Sequence, residues 1–299
     1  MLDEILKVLP TRISNEVIKI GTDSGITEIR LRVNRRVIVI TSKIEVFLES
    51  VVTLQDLLEI LVKVSKNSLY AIQNDINNGF VVINGGHRIG ICGEVVIQDG
   101  KIKNIKNINS MNIRVARQLI GSADKVMQNI INGINVKNTL IVSPPGCGKT
   151  TMLRDVVRQI SNGIKKIGFY GKNVGLVDER GEIASVCNGI PNLDVGMRTD
   201  IISNCPKYIG MEMLVRSMGI SVIATDEIGS KNDIEAIKYA SLSGVSLIFT
   251  MHGKSIDDIV RKDGVKNLIK EGLFEVVILL SNVGKPGTIE KIHEFKKGG

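Results

Sequence analysis

Residues 143–151, SPPGCGKTT, carry glycines, a lysine and two threonines at the spacing of a phosphate-binding loop. A β-branched apolar run precedes this stretch and an amphipathic pattern follows it, which predicts a strand, a loop and a helix in that order. The backbone N–H groups of such a loop, and the positive end of its helix, would face phosphate oxygens. The nine residues predicted to bind nucleotide are Ser143, Pro144, Pro145, Gly146, Cys147, Gly148, Lys149, Thr150 and Thr151.

Individual side chains of this loop have separate expected roles. Lys149 is expected to contact the β- and γ-phosphates, Thr150 to ligate a magnesium ion, and Thr151 to contact the α-phosphate. Ser143 departs from the pattern, which has glycine at this first position. Serine is small and fits a tight strand exit if its φ stays negative, so we expect Ser143 to affect loop tightness and turnover more than binding.

A second apolar strand, in SVIATDEIG (221–229), ends in the carboxylates Asp226 and Glu227. Asp226 is expected to hold Mg²⁺ together with Thr150, directly or through water, and Glu227 to polarise an attacking water molecule. The structural alternative is a helix N-cap followed by an acidic first turn. The pairing with the phosphate-binding loop favours the first interpretation, and the implied cofactors are ATP and Mg²⁺.

Two further polar clusters follow predicted strands of the same sheet. VDERGEIA supplies Asp178, Glu179 and Arg180, and FTMHG supplies Thr250 and His252. The carboxyl ends of parallel strands share one edge of a sheet, so these side chains are expected to converge on the γ-phosphate. His252 is expected to be a neutral hydrogen-bonding group, and which glutamate activates water stays open. The predicted catalytic residues are Glu227, Glu179, Asp178, Thr250 and His252.

The elements that must position these residues form an α/β pattern. Apolar runs at 139–143, 173–178, 221–226 and 245–250 alternate with helical stretches, which predicts a parallel sheet covered by helices. The first third of the chain predicts a small α+β domain instead. Its expected elements are helices in 2–20 with a break at Pro10, strands in 27–40 with a turn at Asn34 and Arg35, a helix in 53–66 that starts at Thr53 and Asp56, and a meander in 79–105.

The segment 110–137 joins the two parts and is mostly helical in pattern, with Gly121 as the expected joint and hinge. The expected domains are an N-terminal α+β domain (1–120), a linker or helix (121–137) and an ATPase domain (138–299).

Composition excludes several classes of protein. The apolar fraction of 43%, most of it aliphatic, rules out a mainly disordered chain, and the net charge of +8 permits but does not require an acidic partner. The spacing of the four cysteines argues against zinc and disulfides. The N-terminus lacks the features of a signal peptide, and no apolar run reaches 18 residues, so we expect a cytoplasmic protein without a transmembrane segment. No nucleic-acid partner is expected, because the basic residues are not interleaved with aromatic ones.

The order of these motifs resembles that of the secretion ATPases, the RecA-like P-loop motors of type II and type IV secretion and pilus systems. TMHG resembles the His box of that group, and VDERGEI is a looser match to its Asp box. Nine stretches together resemble the stage III sporulation protein AA family: EIRLRVNRR, GHRIGICGE, IRVARQLIG, PPGCGKTT, VDERGEIA, GMRTDI, CPKYIGMEMLVRSM, ATDEIG and TMHG. The resemblance implies a RecA-like core in a ring-forming, hexameric ATPase of the mother cell. It also implies membrane-embedded sporulation channel proteins, which link mother cell and forespore, as partners.

Ring-forming motors of this kind place an arginine from a neighbouring subunit at the phosphates. Arg198 is the first candidate because GMRTDI (196–201) has the character of a loop, and Arg30 and Arg32 share one face of a strand that could also reach across an interface. The candidate arginine fingers are Arg198, Arg88, Arg180 and Arg216.

The sequence therefore leaves three alternative functions open. The first is a magnesium-dependent ATPase that energises or assembles a membrane-associated complex. The second is a nucleotide-gated ring scaffold with little turnover, and the third is a RecA-like nucleic-acid motor that uses the net charge of +8.

Overall fold

The computed structural model of the protein describes residues 2–21, 25–66, 68, 72–261, 264–281, 283 and 285–295. The α-helices are α1 (Asp3–Val8), α2 (Thr11–Ile20), α3 (Leu54–Val64), α4 (Gln73–Asn77), α5 (Met127–Ile130), α6 (Lys149–Asn162), α7 (Lys207–Ser217), α8 (Lys231–Leu242), α9 (Ile256–Val260) and α10 (Val265–Lys270). The strands are β1 (Ile26–Arg32), β2 (Arg36–Thr41), β3 (Glu45–Val51), β4 (Phe80–Val82), β5 (Arg88–Gln98), β6 (Lys101–Arg114), β7 (Ile131–Asn132), β8 (Asn135–Val136), β9 (Thr139–Ser143), β10 (Val174–Asp178), β11 (Val186–Cys187), β12 (Ile190–Pro191), β13 (Thr199–Ser203), β14 (Val222–Thr225), β15 (Ser246–His252), β16 (Val276–Ser281) and β17 (Thr288–Glu294).

The chain divides into two compact units. Unit 1 comprises Met1–Arg117 and Ser185–Asn192, and unit 2 comprises Gln118–Ala184 and Leu193–Gly299. Unit 1 therefore includes a short segment that the sequence places inside the second half of the chain, with β11 and β12 paired antiparallel within it. The division into domains at residues 120 and 137 stays a prediction.

Unit 1 is built on a six-stranded antiparallel sheet in the order β3-β2-β1-β6-β5-β4. Alternation decides which face is buried: Ile29 and Leu31 of β1 are fully buried, whereas Arg30 and Arg32 face the other way. Helical residues such as Ile60 belong to the same aliphatic core. The predicted α+β character of this region is confirmed.

Local signals in unit 1 predicted its elements well. The helix break at Pro10 separates α1 from α2, and the turn at Asn34 has a φ of 60°. The predicted start of α3 is confirmed, because the Thr53 hydroxyl accepts a hydrogen bond from the Asp56 amide while the Asp56 carboxylate accepts one from the Thr53 amide.

Unit 2 contains a seven-stranded sheet in the order β13-β10-β14-β15-β9-β16-β17. Every neighbouring pair is parallel except β16 with β17, which is antiparallel. The central strands β9, β10 and β14 are buried at every residue, as expected for parallel strands covered by helices on both faces. The predicted α/β fold with a helix-covered parallel sheet is confirmed, and the four predicted strands are present.

The prediction that residues 110–137 are mostly helical is wrong. Strand β6 continues to Arg114 because Met111 and Ile113 pair with β1 on one side and β5 on the other. Only the four residues of α5 are α-helical in this segment, and the short strands β7 and β8 follow them. Gly121 lies in a turn, where its φ is 85° and its carbonyl accepts a hydrogen bond from the Asp124 amide. Its role as a hinge stays a prediction.

The prediction of a loop over residues 196–201 is also wrong for residues 199–201, which belong to a strand. Strand β13 begins at Thr199 and pairs in parallel with β10, from Val174 opposite Thr199 to Asp178 opposite Ser203. Strands β16 and β17 are further strands that the sequence patterns did not assign. They extend the sheet on its other side.

Candidate active site

The carboxyl ends of four parallel strands bring the predicted site residues of unit 2 together. In the register of β9 and β15, Ser143 lies opposite His252. Strand β14 ends at Thr225, directly before Asp226 and Glu227, and β10 ends at Asp178. The predicted convergence of these groups at one sheet edge is therefore what the topology produces.

The phosphate-binding loop has the backbone that its glycines predict. Gly146 and Gly148 have φ values of 73° and 83°, in the left-handed region that favours glycine, and α6 begins directly after them at Lys149. Ser143 is buried and is not among the residues with positive φ, so the condition for a serine at this position is met. Its hydroxyl donates to the Pro144 carbonyl at 2.8 Å.

Lys149 lies folded back into the loop. Its ammonium group is buried and donates to the carbonyl oxygens of Ser143 and Pro144, both at 3.3 Å, and to the Ser143 hydroxyl at 3.4 Å. The same nitrogen lies 3.0 Å from Nδ1 of His252. The serine at the first position therefore supplies an acceptor for the lysine that a glycine would lack.

Asp226 accepts hydrogen bonds from two threonine hydroxyls. Thr150 of α6 donates to Oδ2 at 2.5 Å, and Thr250 of β15 donates to Oδ1. The Thr250 hydroxyl in turn accepts a hydrogen bond of 2.9 Å from the Glu227 amide. Glu227 has a φ of 53°, which is unusual for a residue other than glycine, and the contact with Thr250 holds that turn in place.

His252 connects the lysine to the glutamate. Its Nε2 lies 2.8 Å from Oε1 of Glu227, on the opposite side of the ring from Lys149. An ammonium group only donates, so Nδ1 must accept and Nε2 must carry the proton that is donated to Glu227. The geometry therefore assigns the neutral Nε2–H tautomer to His252. A continuous chain of hydrogen bonds then runs from Lys149 through His252 to Glu227.

Asp178 is engaged with its own loop. Its carboxylate is buried and accepts hydrogen bonds from the amides of Glu182, Ile183 and Ala184, at distances between 2.8 and 3.2 Å. Both carboxylate oxygens are used by these backbone groups. The geometry favours a role for Asp178 in shaping the segment after β10, and its catalytic role stays a prediction.

Glu179 and Arg180 form ion pairs on either side of a small cleft. Glu179 lies 2.5 Å from Nζ of Lys207, and Nη1 of Arg180 lies 3.0 Å from Oε2 of Glu227. The cleft has an empty volume of ≈ 300 Å³, and Asp226 also lines it. Glu227 therefore contacts His252 with one oxygen and Arg180 with the other. The structure puts Glu227, rather than Glu179, next to the phosphate-binding loop.

The other candidate arginines lie elsewhere. Arg198 precedes β13, at the amino end of the sheet, and its Nη1 donates to the Ser161 carbonyl at 2.7 Å. Arg216 pairs with Glu212 on α7, and in unit 1 the Arg88 guanidinium stacks on the Phe80 ring at 3.4 Å. Their roles as fingers from a neighbouring subunit, and those of Arg30 and Arg32, stay predictions.

Arg154 is a residue of this site that the sequence patterns missed. It lies on α6 one turn after Thr150, is buried, and donates to the backbone carbonyls of Glu182 and Ile183. The available signal was its position on the apolar face of the predicted helix, four residues after Thr150, where a charged side chain requires buried partners.

The residues present fit ATP and Mg²⁺. Two glycines and the start of α6 supply a backbone cradle without side-chain obstruction at Gly146, where an added Cβ meets nothing within 4 Å. The Thr150 hydroxyl and the Asp226 carboxylate form a pair of hard oxygen donors, which is the donor type that Mg²⁺ prefers. These two residues would hold the metal.

Unit 2 has the RecA-like fold of the secretion ATPases. The Legionella pneumophila ATPase DotB has a structure with a TM-score of 0.59 at 11% sequence identity, which covers 91% of this chain and 76% of that one. The pilus retraction motor PilT, solved with bound ADP, gives a TM-score of 0.60 at 16% identity over 88% of this chain and 76% of that one. At these identities the likeness shows the fold.

The chain belongs to the stage III sporulation protein AA family. The family model described as sporulation stage III, protein AA, matches residues 2–298. Stage III sporulation protein AA of Bacillus subtilis (strain 168) is 38% identical over 295 residues, which cover 98% of this chain and 95% of that protein. The predicted family is therefore confirmed, and the chain is a sporulation protein. Of the helices within the described residues, none has the length and hydropathy required to cross a bilayer.

Proposed function

We propose that this protein is a magnesium-dependent ATPase that hydrolyses ATP to ADP and phosphate. The observation that carries the proposal is the chain of contacts from Lys149 through His252 to Glu227, beside the Thr150–Asp226 pair. A lysine for the phosphates, a carboxylate for the attacking water and an oxygen pair for the metal are the parts that phosphoryl transfer to water requires.

Three side chains would have separate roles in ATP hydrolysis. Lys149 exchanges its carbonyl acceptors and Nδ1 of His252 for phosphate oxygens, which are stronger acceptors because they are charged. Glu227 accepts the proton of the attacking water, and His252 holds its carboxylate through the Nε2–H bond. Magnesium, when bound, would neutralise charge that develops on the phosphate oxygens.

We further propose that the protein acts as a ring of identical subunits, six by the pattern of the family it resembles. The ring would work in the mother cell on a membrane-embedded channel complex that links it to the forespore. Support comes from the family and from the structural neighbours, which are an ATPase and a pilus retraction motor. An arginine from the neighbouring subunit would complete the charge around the phosphates.

The test compares phosphate release by the full chain with its Lys149→Ala and Glu227→Gln variants, while a fluorescent ATP analogue reports binding. Lys149→Ala should lose both binding and turnover. Glu227→Gln should keep binding but lose about 10²- to 10⁴-fold in turnover, because a general base is removed. Lys165→Ala, at an exposed lysine after α6, is the matched control and should behave as wild type.

The alternatives give different results in the same experiment. Wild-type turnover no faster than that of Lys149→Ala, with nucleotide binding retained, would replace the motor with a nucleotide-gated scaffold. Binding of single-stranded DNA at physiological ionic strength, weakening steeply with added salt, would instead favour a nucleic-acid motor.

A further inference from the structure

Arg154 places a positive charge inside unit 2 that the proposed chemistry does not use. Its side chain is 6% exposed, and burial lowers the pKa of its guanidinium, whereas the nearby carboxylates of Asp178, Asp226 and Glu182 act in the opposite direction. An arginine stays protonated in such a position, so its charge must be balanced by these carboxylates. Burying a charged guanidinium costs desolvation free energy, so Arg154 is expected to have a structural role that an apolar side chain such as leucine could not fill.

The hydrogen bonds of Arg154 show what it holds. Nε donates to the Ile183 carbonyl at 2.5 Å, and Nη2 donates to the Glu182 carbonyl at 2.6 Å. The planar guanidinium thus binds two consecutive backbone carbonyls in a fork, a geometry that the single nitrogen of a lysine does not reproduce.

Asp178 holds the same segment from its other side. Its carboxylate accepts from the amides of Glu182 at 2.9 Å, Ile183 at 3.1 and 3.2 Å and Ala184 at 2.8 Å. The peptide groups of residues 182–184 are therefore fixed by a cation at their carbonyls and by an anion at their amides. We call residues 179–184 the β10 loop and this pair of contacts its clamp.

The β10 loop carries side chains that reach the cleft beside Glu227. Arg180, from the start of the loop, pairs with Glu227, and Glu182 and Ile183 line the same cleft. The position of the loop therefore decides where the Arg180 guanidinium lies and how the cleft around the Glu227 carboxylate is shaped.

We propose that Arg154 is a positioning residue that ties the β10 loop to the phosphate-binding helix, so that nucleotide bound at the start of α6 orders the loop beside Glu227. The proposal rests on the proposed ATPase function for its catalytic consequence. The structural link stands on its own: Thr150 and Arg154 are one turn apart on α6, so the site of nucleotide contact and the fork that holds the loop belong to one rigid element.

Hydrogen–deuterium exchange of the full chain tests the link directly. In wild type the amides of residues 182–184 should be protected, and ADP with Mg²⁺ should slow their exchange further. In Arg154→Met, which keeps side-chain length without charge, these amides should exchange at least about tenfold faster and lose their response to nucleotide, because part of the local stability that limits opening is removed. Arg158→Met, one turn further along α6, is the matched control, since Arg158 pairs with Asp155 and not with the loop.

Steady-state kinetics provides the second measurement. Arg154→Met should lower kcat by about 10- to 100-fold with KM changed less than about threefold, because misplaced groups at the reaction centre affect the transition state more than nucleotide binding. Arg154→Lys keeps the charge without the fork and should recover part of the exchange protection and part of kcat. This variant also serves if Arg154→Met fails to fold.

If residues 182–184 of Arg154→Met exchange at the same rate as in wild type, the proposed clamp is contradicted. If only Arg154→Lys folds, the same result in that variant contradicts it. Faster exchange with unchanged kcat would show that the loop does not position the catalytic groups, and would overturn the proposal as well. If wild type hydrolyses no ATP, the proposed function fails, while the response of residues 182–184 to ADP and Mg²⁺ still decides whether Arg154 links the loop to the nucleotide.

Discussion

The Thr150 hydroxyl donates a hydrogen bond of 2.5 Å to the Asp226 carboxylate, although 76 positions of sequence separate the two residues. One residue lies in the first turn of α6 and the other follows β14, two strands away from β9 in the sheet. Two oxygen donors brought together in this way form the core of the proposed magnesium site.

Asp226→Asn should weaken magnesium binding without unfolding the protein. The amide keeps the shape but loses the negative charge, so we expect the Mg²⁺ concentration for half-maximal ATP hydrolysis to rise by about 10- to 100-fold. The measurement is phosphate release against Mg²⁺ at fixed ATP. Asp99→Asn is the control, because Asp99 lies in an exposed turn of unit 1 with a φ of 52°, which asparagine also adopts. An unchanged magnesium requirement in Asp226→Asn would exclude this residue from the metal site.

His252→Ala should separate binding from turnover. It removes the group between Lys149 and Glu227 but leaves the phosphate-binding loop intact. We expect kcat to fall by about 10- to 100-fold, because Glu227 loses the contact that orients it, while the dissociation constant of a fluorescent ATP analogue changes by less than about threefold. His293→Ala on β17 provides the comparison for loss of a histidine away from the site. Equal losses in both variants would contradict a specific role for His252.

Ser143→Gly tests what the serine contributes at the first position of the loop. The substitution adds backbone freedom to the unfolded chain and removes an acceptor for Lys149, so the free energy of unfolding should fall by about 1 kcal/mol. Nucleotide affinity should stay within about threefold of wild type, since the backbone cradle is retained. Urea unfolding and nucleotide titration measure the two effects. Ser143→Ala removes only the hydroxyl, so it shows how much of the lost unfolding free energy comes from the hydrogen bond and how much from the backbone. Loss of nucleotide binding in Ser143→Gly would contradict the interpretation.

Glu16 links the stability of unit 1 to pH. Hydrogen bonds from the Ser50 side chain, and then from the amides of Ser50 and Glu49, lower the pKa of the Glu16 carboxyl below its ordinary value. A lowered folded-state pKa gives stability that is present above the unfolded pKa, about 4.3 for glutamate, and that is lost as pH falls through the folded-state value.

Glu16→Gln should therefore destabilise the protein at pH 7 by about 0.5–1 kcal/mol, a value kept small because water competes at this accessible site. The difference from wild type should shrink as pH falls below about 4.3. Urea unfolding followed by circular dichroism at several pH values measures it. Glu45→Gln, on the exposed side of β3, is the matched control. A difference that grows on acidification would have the wrong sign for this contact.

The amino-acid sequence by itself determined the elements whose signals are local. Glycine spacing located the tight loop between β9 and α6, period-two alternation located β1, and the capping pair Thr53 and Asp56 located the start of α3. Apolar runs bounded by polar clusters predicted the four strands that end at the site. These signals are readable because backbone preference and side-chain periodicity act within a few residues.

Tertiary structure decided the features that depend on pairing between distant segments. Strand β6 continues to Arg114 against the helical pattern because two neighbouring strands offer it backbone partners, and β13 forms where the sequence indicates a loop because it pairs with β10. The same holds for the side chains of the site. The sequence assigned Asp178 to catalysis and gave Arg154 no role. Only the folded chain shows that both charges bind the backbone of residues 182–184, because the partners of a buried charge depend on position in space.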